Sequence, residues 1–277
     1  MPLDKFQKLC ALLSPEEHQK FLAAIGKKSA NWGQVIGGKK TLLRHPEILK
    51  KGRKKALRIN SKPKYDFDIN LKLSPKMAEF VGAFIGDGFT AKYQSGGKFI
   101  YMTQFTGDSR FDTGYYKNVI CPTAQRNFNY KKDNMKSKKN VLRVNFYSKR
   151  LFEFLTVRLN LPSGKKSSTV LIPNEIFGSN KLAVKCIRGI FDTDGCVFFD
   201  KRPAYKAPYA RISLKMFNPP LIDQIFSKLC ELKLSAEKLG TGKEIQIIGP
   251  KNVKLFLTKI GFSNDRHFQK LKNAGLA

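Results

Sequence analysis

The sequence predicts an α+β protein in which one unit (helix, strand pair, helix, strand pair, helix) occurs twice behind a basic helical extension. Three observations predict it. Apolar residues switch between helical and strand spacing from residue 71 onward, twice and in the same order. Two helices rich in small residues end on Asp87-Gly88 and Asp194-Gly195, with the aspartates 107 residues apart. Residues 1–70 carry sixteen Lys or Arg against six Asp or Glu and read as helical. A duplication of this length gives two similar units facing each other; a solenoid needs more copies.

Composition sets the class of partner. The chain has 277 residues, 42% of them hydrophobic, enough to bury a proper core. Lys and Arg number 52 against 21 Asp and Glu, a net charge of +31. Such a chain repels itself without a polyanion. Nucleic acid is the default partner, because Lys and Arg displace counterions from phosphates. Charge alone does not separate a nuclease from a ribosomal-type scaffold. No run of about 18 apolar residues occurs, so no membrane partner is expected. The first residues lack a basic segment followed by an apolar run, so no secretory signal is expected. Protein splicing is not expected either, without a Cys or Ser start and a His-Asn end. The cysteines, at 10, 121, 186, 196 and 230, form no C-x-x-C pair. They read as reduced thiols of an intracellular protein, at a prokaryotic nucleoid in the cytoplasm or in an organelle. His18, His45 and His267 lie far apart, which disfavours a clustered His/Cys metal site.

In the extension, residues 1–70, Phe6, Leu9, Leu12 and Leu13 mark a helical apolar face. Ser14-Pro15-Glu16-Glu17 supplies an N-cap, a first-turn proline and acids that suit a helix start. Phe21, Leu22 and Ile25 continue that helix, and Gly26 can end it. A run from Asn31 to Ile36 leads to a Gly37-Gly38 turn and a further run with Leu42, Leu43, Ile48 and Leu49. Short helices about a glycine turn fit a helix-turn-helix in a major groove, and equally a packing appendage with a solvated face. Residues 60–70 read as a linker.

The first repeat spans 71–166. Ser74 and Pro75 open a helix carrying Met77, Phe80, Val81 and Phe84. Strands follow at 89–94 and 98–106 around a Gly96-Gly97 turn, then a helical piece at 109–121. A second strand pair is expected at 127–132 and 139–147, then a helix at 149–159. A linker, 167–181, leads to the second repeat, 182–277. There a helix ends at Asp194-Gly195, followed by strands at 196–201 and 209–216 and a helix at 219–233. Strands at 236–239 and 243–248 and a helix at 251–260 complete it, and Phe256-Leu257-Thr258 matches Phe154-Leu155-Thr156.

The chemistry rests on two nine-residue stretches, FVGAFIGDG ending at Gly88 and IRGIFDTDG ending at Gly195. Each has small residues four apart, Gly82 and Gly86, then Gly189 and Thr193. At helical spacing they share a face and let two backbones approach. Each glycine after the aspartate can take the left-handed conformation that ends a helix. An aspartate there meets the negative end of the helix dipole. If the helices pack side by side, Asp87 and Asp194 also repel each other. A hard divalent cation held by carboxylates and carbonyl oxygens offsets this. In a basic protein such a pair makes a phosphodiester-cleaving centre reasonable.

At these stretches the chain resembles the LAGLIDADG homing endonucleases of the single-chain, two-motif type, over about residues 71–275. The flanks LSPKMAEF before the first stretch and LPSGKKSSTVLIPNEIFGSNKLAVKC before the second fit as well. The resemblance implies two αββαββα units in pseudo-twofold symmetry, with the signature helices at the interface and each sheet lying over DNA. It implies a monomeric DNA endonuclease that cuts both strands of a long asymmetric target with Mg2+ or Mn2+. It places metal at Asp87 and Asp194, with Gly86 and Thr193 beside them. It also implies a lysine after the last helix of each repeat. Lys166 is favoured in repeat one, with Lys165 adjacent. In repeat two His267 occupies the counted position, with Arg266 adjacent, so the half-sites read as unequal.

Double-stranded DNA is the expected partner, read by alternating side chains on the strands. Repeat one offers Lys92, Gln94, Lys98, Lys131, Arg143 and Asn145. Repeat two offers Lys201, Arg202, Arg211, Ser213, Lys215 and Gln246. Two other functions fit the same scaffold: an RNA-binding maturase acting on intron RNA, and a DNA-binding regulator that no longer cleaves.

Overall fold

A computed structural model of the chain describes residues 3–26, 28–61, 65–131, 134–200, 209–273 and 275. The chain divides into two compact units, Met1–Ser61 and Lys62–Ala277.

The first unit is helical: α1 (Leu3–Cys10), α2 (Pro15–Ala24), α3 (Trp32–Arg44) and α4 (Pro46–Ser61). Ser14 caps α2 in a capping box: its hydroxyl accepts from the Glu17 N–H, and the Glu17 carboxylate accepts from the Ser14 N–H at 3.0 Å. The expected Gly37-Gly38 turn is not there. Helix α3 runs through both glycines and stops at Arg44, before His45 and Pro46. Exposed glycines weaken a helix by about 1 kcal/mol each without breaking it. A proline removes an N–H and disfavours helical geometry at the residue before it. The break between the two helices therefore lies at the proline and not at the glycines.

The second unit contains both repeats. Ser74 accepts from the Met77 N–H at 3.2 Å and starts α5 (Pro75–Asp87). Strands β1 (Gly88–Ser95) and β2 (Lys98–Asp108) follow about the Gly96-Gly97 turn, where both glycines have positive φ. The next segment is α6 (Thr113–Tyr115), a π-turn over Tyr116–Ile120 and α7 (Cys121–Asn127). Strands β3 (Met135–Lys138) and β4 (Val141–Tyr147) complete a sheet ordered β1-β2-β4-β3. The strand expected at 127–132 is absent among the described residues of that range, 127–131. Phe128 and Tyr130 are buried there, but they serve as core plugs in an irregular segment. Helix α8 (Lys149–Glu153) passes into a π-turn over Phe154–Arg158.

After α9 (Asn174–Phe177), repeat two runs α10 (Asn180–Asp194), β5 (Gly195–Asp200), β6 (Tyr209–Lys215) and α11 (Pro219–Glu231). It closes with β7 (Glu237–Leu239), β8 (Glu244–Ile248), α12 (Pro250–Lys259) and α13 (Asp265–Asn273). The sheet order is β5-β6-β8-β7, the same pattern as in repeat one. The matched threonines play the same part: Thr156 bonds back to the Phe152 carbonyl at 2.8 Å and Thr258 to the Lys254 carbonyl at 3.0 Å.

One face of each sheet covers apolar side chains: Phe105, Val144 and Phe146 in one, Val197, Ile212 and Ile247 in the other. The stretch read as a linker is packed where it is described. Phe67 lies against Phe128 and Phe154, and Arg158 donates to the carbonyls of Ile69 and Leu71. No described helix is long and apolar enough to cross a membrane.

Candidate active site

Helices α5 and α10 lie against each other through their small residues. A Cβ at Gly82 would overlap the Cys186 carbonyl, and one at Gly189 would overlap the Glu79 carbonyl. A Cβ on Gly86 would meet the Thr193 hydroxyl and come within 2.8 Å of an Asp194 carboxylate oxygen. The small side chains are thus required by backbone contact, and they bring the last turns of both helices together.

The glycines that follow the aspartates are required for a different reason from the expected one. Gly88 and Gly195 are extended, with φ of −82° and −75°, not left-handed. A Cβ at either would overlap the carbonyl of Phe84 or Phe191 one turn back. Helix therefore passes straight into strand with no room for a side chain at the junction.

Asp87 and Asp194 end the two helices. Burial raises the Asp87 carboxyl to about 7, and the Asp194 and Asp112 charges push the same way. The Arg266 guanidinium and the Tyr116 hydroxyl, 3.3 Å from Asp87 Oδ2, oppose the rise. Asp194 reaches solvent at its rim, yet the protein packed around it also raises its pKa, against the pull of Lys166 and Arg266. The pair is a site short of positive charge.

Each helix end has one cation behind it. Lys166 Nζ donates to the carbonyls of Ile85 and Gly86, two and one residues before Asp87. Burial lowers its pKa, while Asp194 and Asp87 hold it up. Arg266 donates to the carbonyls of Asp192 and Thr193, the same two positions before Asp194. Arg266, not His267, is therefore the counterpart of Lys166. The count from the preceding helix fails because the stretch from the matched phenylalanine to the cation is two residues longer in repeat one, twelve from Phe154 to Lys166 against ten from Phe256 to Arg266. His267 is buried, stacked on Phe262 at 4.7 Å, and accepts from Arg266 Nε at 3.1 Å. Burial lowers its pKa to about 3, so it stays neutral and braces the arginine. Lys165 is exposed and reaches neither helix end.

The carbonyls of Gly86 and Thr193, expected beside a metal, each accept from a cation. Among the described residues no cluster of three or more His, Cys, Asp or Glu stands in a metal-holding arrangement. The chemistry of two charge-starved carboxylates would suit a hard divalent ion.

Sequence reasoning missed the braces around this centre. Asp112, 3% exposed, accepts from the Asp108 N–H, the Asn264 side chain and Arg266. Asp192, fully buried, accepts from the N–H groups of Ser263 and Asn264, which fixes the loop before Arg266. The signal was the scarcity of acids: with 21 among 277 residues, each one in an apolar segment stands out.

Register sorts the expected DNA readers. Arg143 pairs with Thr106 and Asn145 with Gln104, on the face turned away from the helices. Arg211, Ser213, Lys215 and Gln246 occupy the corresponding face of the second sheet. There Ser213 and Gln246 donate to Glu244, and Arg211 donates to Gln246 and Asp200. Lys98 pairs with Ser95 on the free face, and Lys131 is exposed in the loop before β3. Lys92 and Gln94 stand opposite Tyr101 and Phe99, on the other face, because side chains alternate and Thr90 and Thr103 of that set are buried. Lys92 lies 4.4 Å over the Phe99 ring. Lys201 and Arg202 lie outside the described residues. Gln104 and Lys136 were not expected, and they join Arg143 and Asn145 around one cleft on the free face.

This chain is similar to LAGLIDADG homing endonucleases. Matched solved structures include I-DmoI in complex with DNA and Mn, at 20% identity over 68% of this chain and 97% of that chain, with a TM-score of 0.48. The LAGLIDADG homing endonuclease I-GzeII in complex with its DNA target matches at 9% identity over 74% and 89%, with a TM-score of 0.48. The meganuclease I-SmaMI bound to uncleaveable DNA matches at 12% identity over 73% and 88%, with a TM-score of 0.45. No family model and no curated protein matches the chain. All three scores lie below 0.5.

Proposed function

We propose that the chain is a metal-dependent DNA endonuclease that acts as a monomer and breaks both strands of a long, asymmetric duplex target. One observation carries this: Asp87 and Asp194 meet at the ends of two interlocked helices, each with its own cation behind it. The two-repeat build supports a target whose halves differ, since the outward side chains of the two sheets differ.

Mg2+ or Mn2+ held by the two carboxylates would supply an activated water and stabilise the leaving oxygen. The protein's own residues do the rest. Tyr116 donates to Asp87 and fixes the orientation of its carboxylate. Lys166 and Arg266 neutralise the negative helix ends and place positive charge beside the scissile phosphates. Arg143, Asn145, Arg211 and Gln246 present donors and acceptors suited to base edges. The four basic helices of residues 1–61 add phosphate contacts and affinity. Both carboxylates are in place, which favours cleavage over a regulator that only binds.

Selection from a randomised duplex library tests this. The expected outcome is a single enriched target, broken on both strands with Mg2+ and left intact with chelator. Enrichment of bound but uncut duplex under both conditions would overturn it.

A further inference from the structure

A second cleft lies at the other end of the signature helices. It has a volume of about 500 Å³ and is lined by Lys76 and Glu79 of α5, Lys117 and Arg126 of the α6–α7 segment, and Lys185 and Arg188 of α10. Glu79 is eight residues before Asp87 and Arg188 six before Asp194, so the cleft lies about 12 and 9 Å back along the helices.

Five cations face one acid here. They are crowded: burial, and then the Arg188 charge, lower the Lys185 pKa. Glu79 is 6% exposed, and its Oε1 is buried without a hydrogen-bond partner among the described residues. A buried acceptor left unpaired destabilises the fold, so a donor belongs there. The occupant must bring both negative charge and a hydrogen-bond donor. Lys117 and Arg126 stand nine residues apart on one helical stretch, roughly 13 Å, which is more than one phosphate spans. A duplex cannot enter a concave pocket of this size, whereas a splayed nucleotide of a single strand can.

We propose that this cleft binds a nucleotide of a single-stranded nucleic acid, with phosphates on Lys117 and Arg126 and a sugar hydroxyl or base amino group donating to Glu79. The site is separate from the helix-end aspartates and does not depend on cleavage.

The test uses the full-length chain and two labelled twelve-nucleotide oligomers of the same sequence, one ribo and one deoxyribo. The variant K76Q/K117Q/R126Q is compared with K233Q/K251Q/K254Q, which removes the same charge from exposed lysines elsewhere. The cleft variant should lose about tenfold or more in affinity and the control about twofold, because general attraction falls equally in both. Tighter ribo-oligomer binding would assign the donor as the 2′-hydroxyl, and equal binding would assign it to the base. Thermal melting checks that both variants fold. Photo-crosslinking of a thiouridine or thiothymidine oligomer to the wild type should label the 115–126 and 185–188 segments. Equal losses in the two variants, or labelling confined to other segments, would overturn the proposal.

Discussion

The two half-sites solve one problem in two ways, and the difference shows how a duplicated site diverges. Both must neutralise a helix carboxyl end that also carries an aspartate. Repeat one uses Lys166, a flexible point charge that touches the two carbonyls and has no acidic clamp. Repeat two uses Arg266, whose fork bonds the carbonyls with one arm and Asp112 with another, while its Nε meets His267. Asp112 belongs to repeat one, so the arginine of one half-site is held by the other repeat. The lysine is held by two carbonyls alone, whereas the arginine is held by two carbonyls, a carboxylate and an imidazole.

The largest effect tests what the halves share. With both carboxylates replaced, as D87N/D194N, cleavage should fall by roughly a hundredfold or more, the scale of losing an oriented electrostatic group. Duplex binding should persist, since phosphate contacts come from many residues. Arg266→Ala comes next and separates the halves. It leaves the buried Asp112 carboxylate without its charge partner and should cost about 3 kcal/mol, read by urea unfolding. Lys166→Ala should cost much less, because it frees no buried carboxylate; equal losses would contradict the fixed-versus-flexible contrast. Gly82→Ala forces a methyl into the Cys186 carbonyl and should cost about 1–3 kcal/mol or more.

The pH dependence separates the aspartates. Asp87 has a folded pKa of about 7, above its usual value of 3.8. A raised carboxyl favours the folded state when protonated. Its contribution is therefore most favourable in acid and is lost as pH rises from about 4 through 7. D87N should gain stability over the metal-free wild type across that interval, and a constant difference between their melting curves would contradict it. Divalent-ion affinity should rise by roughly tenfold per pH unit below 7 and level off above, since the ion displaces one proton. The smallest effect concerns the extension. Removing residues 1–61 should flatten the salt dependence of duplex binding by about 0.9 per lost phosphate contact and leave the cleavage rate of bound target unchanged.

Much of this was legible in the sequence because the controlling forces are local or periodic. Ser74-Pro75, the Gly96-Gly97 turn and the small residues of α5 and α10 each state their role in their own neighbourhood. Phe128 and Tyr130 misled because a buried aromatic looks the same in a strand as in an irregular plug. Gly37-Gly38 misled because glycine permits a turn without requiring one, whereas Pro46 forces a break. Counting misplaced Arg266 because the stretch from the matched phenylalanine to the cation is two residues longer in repeat one. The role of Asp112 was beyond reach, since Asn264 and Arg266 lie more than 150 residues away and only the packed helices bring them to it.

The most direct measurement is single-turnover cleavage of a target labelled separately on each strand, with wild type, K166Q and R266K. Each cation is assigned to its own helix end, so K166Q should slow one strand and R266K the other. The folded-protein fraction is checked by melting before each assay. If both variants slow both strands by the same factor, the cations do not serve separate half-sites, and the paired, unequal site described above is wrong.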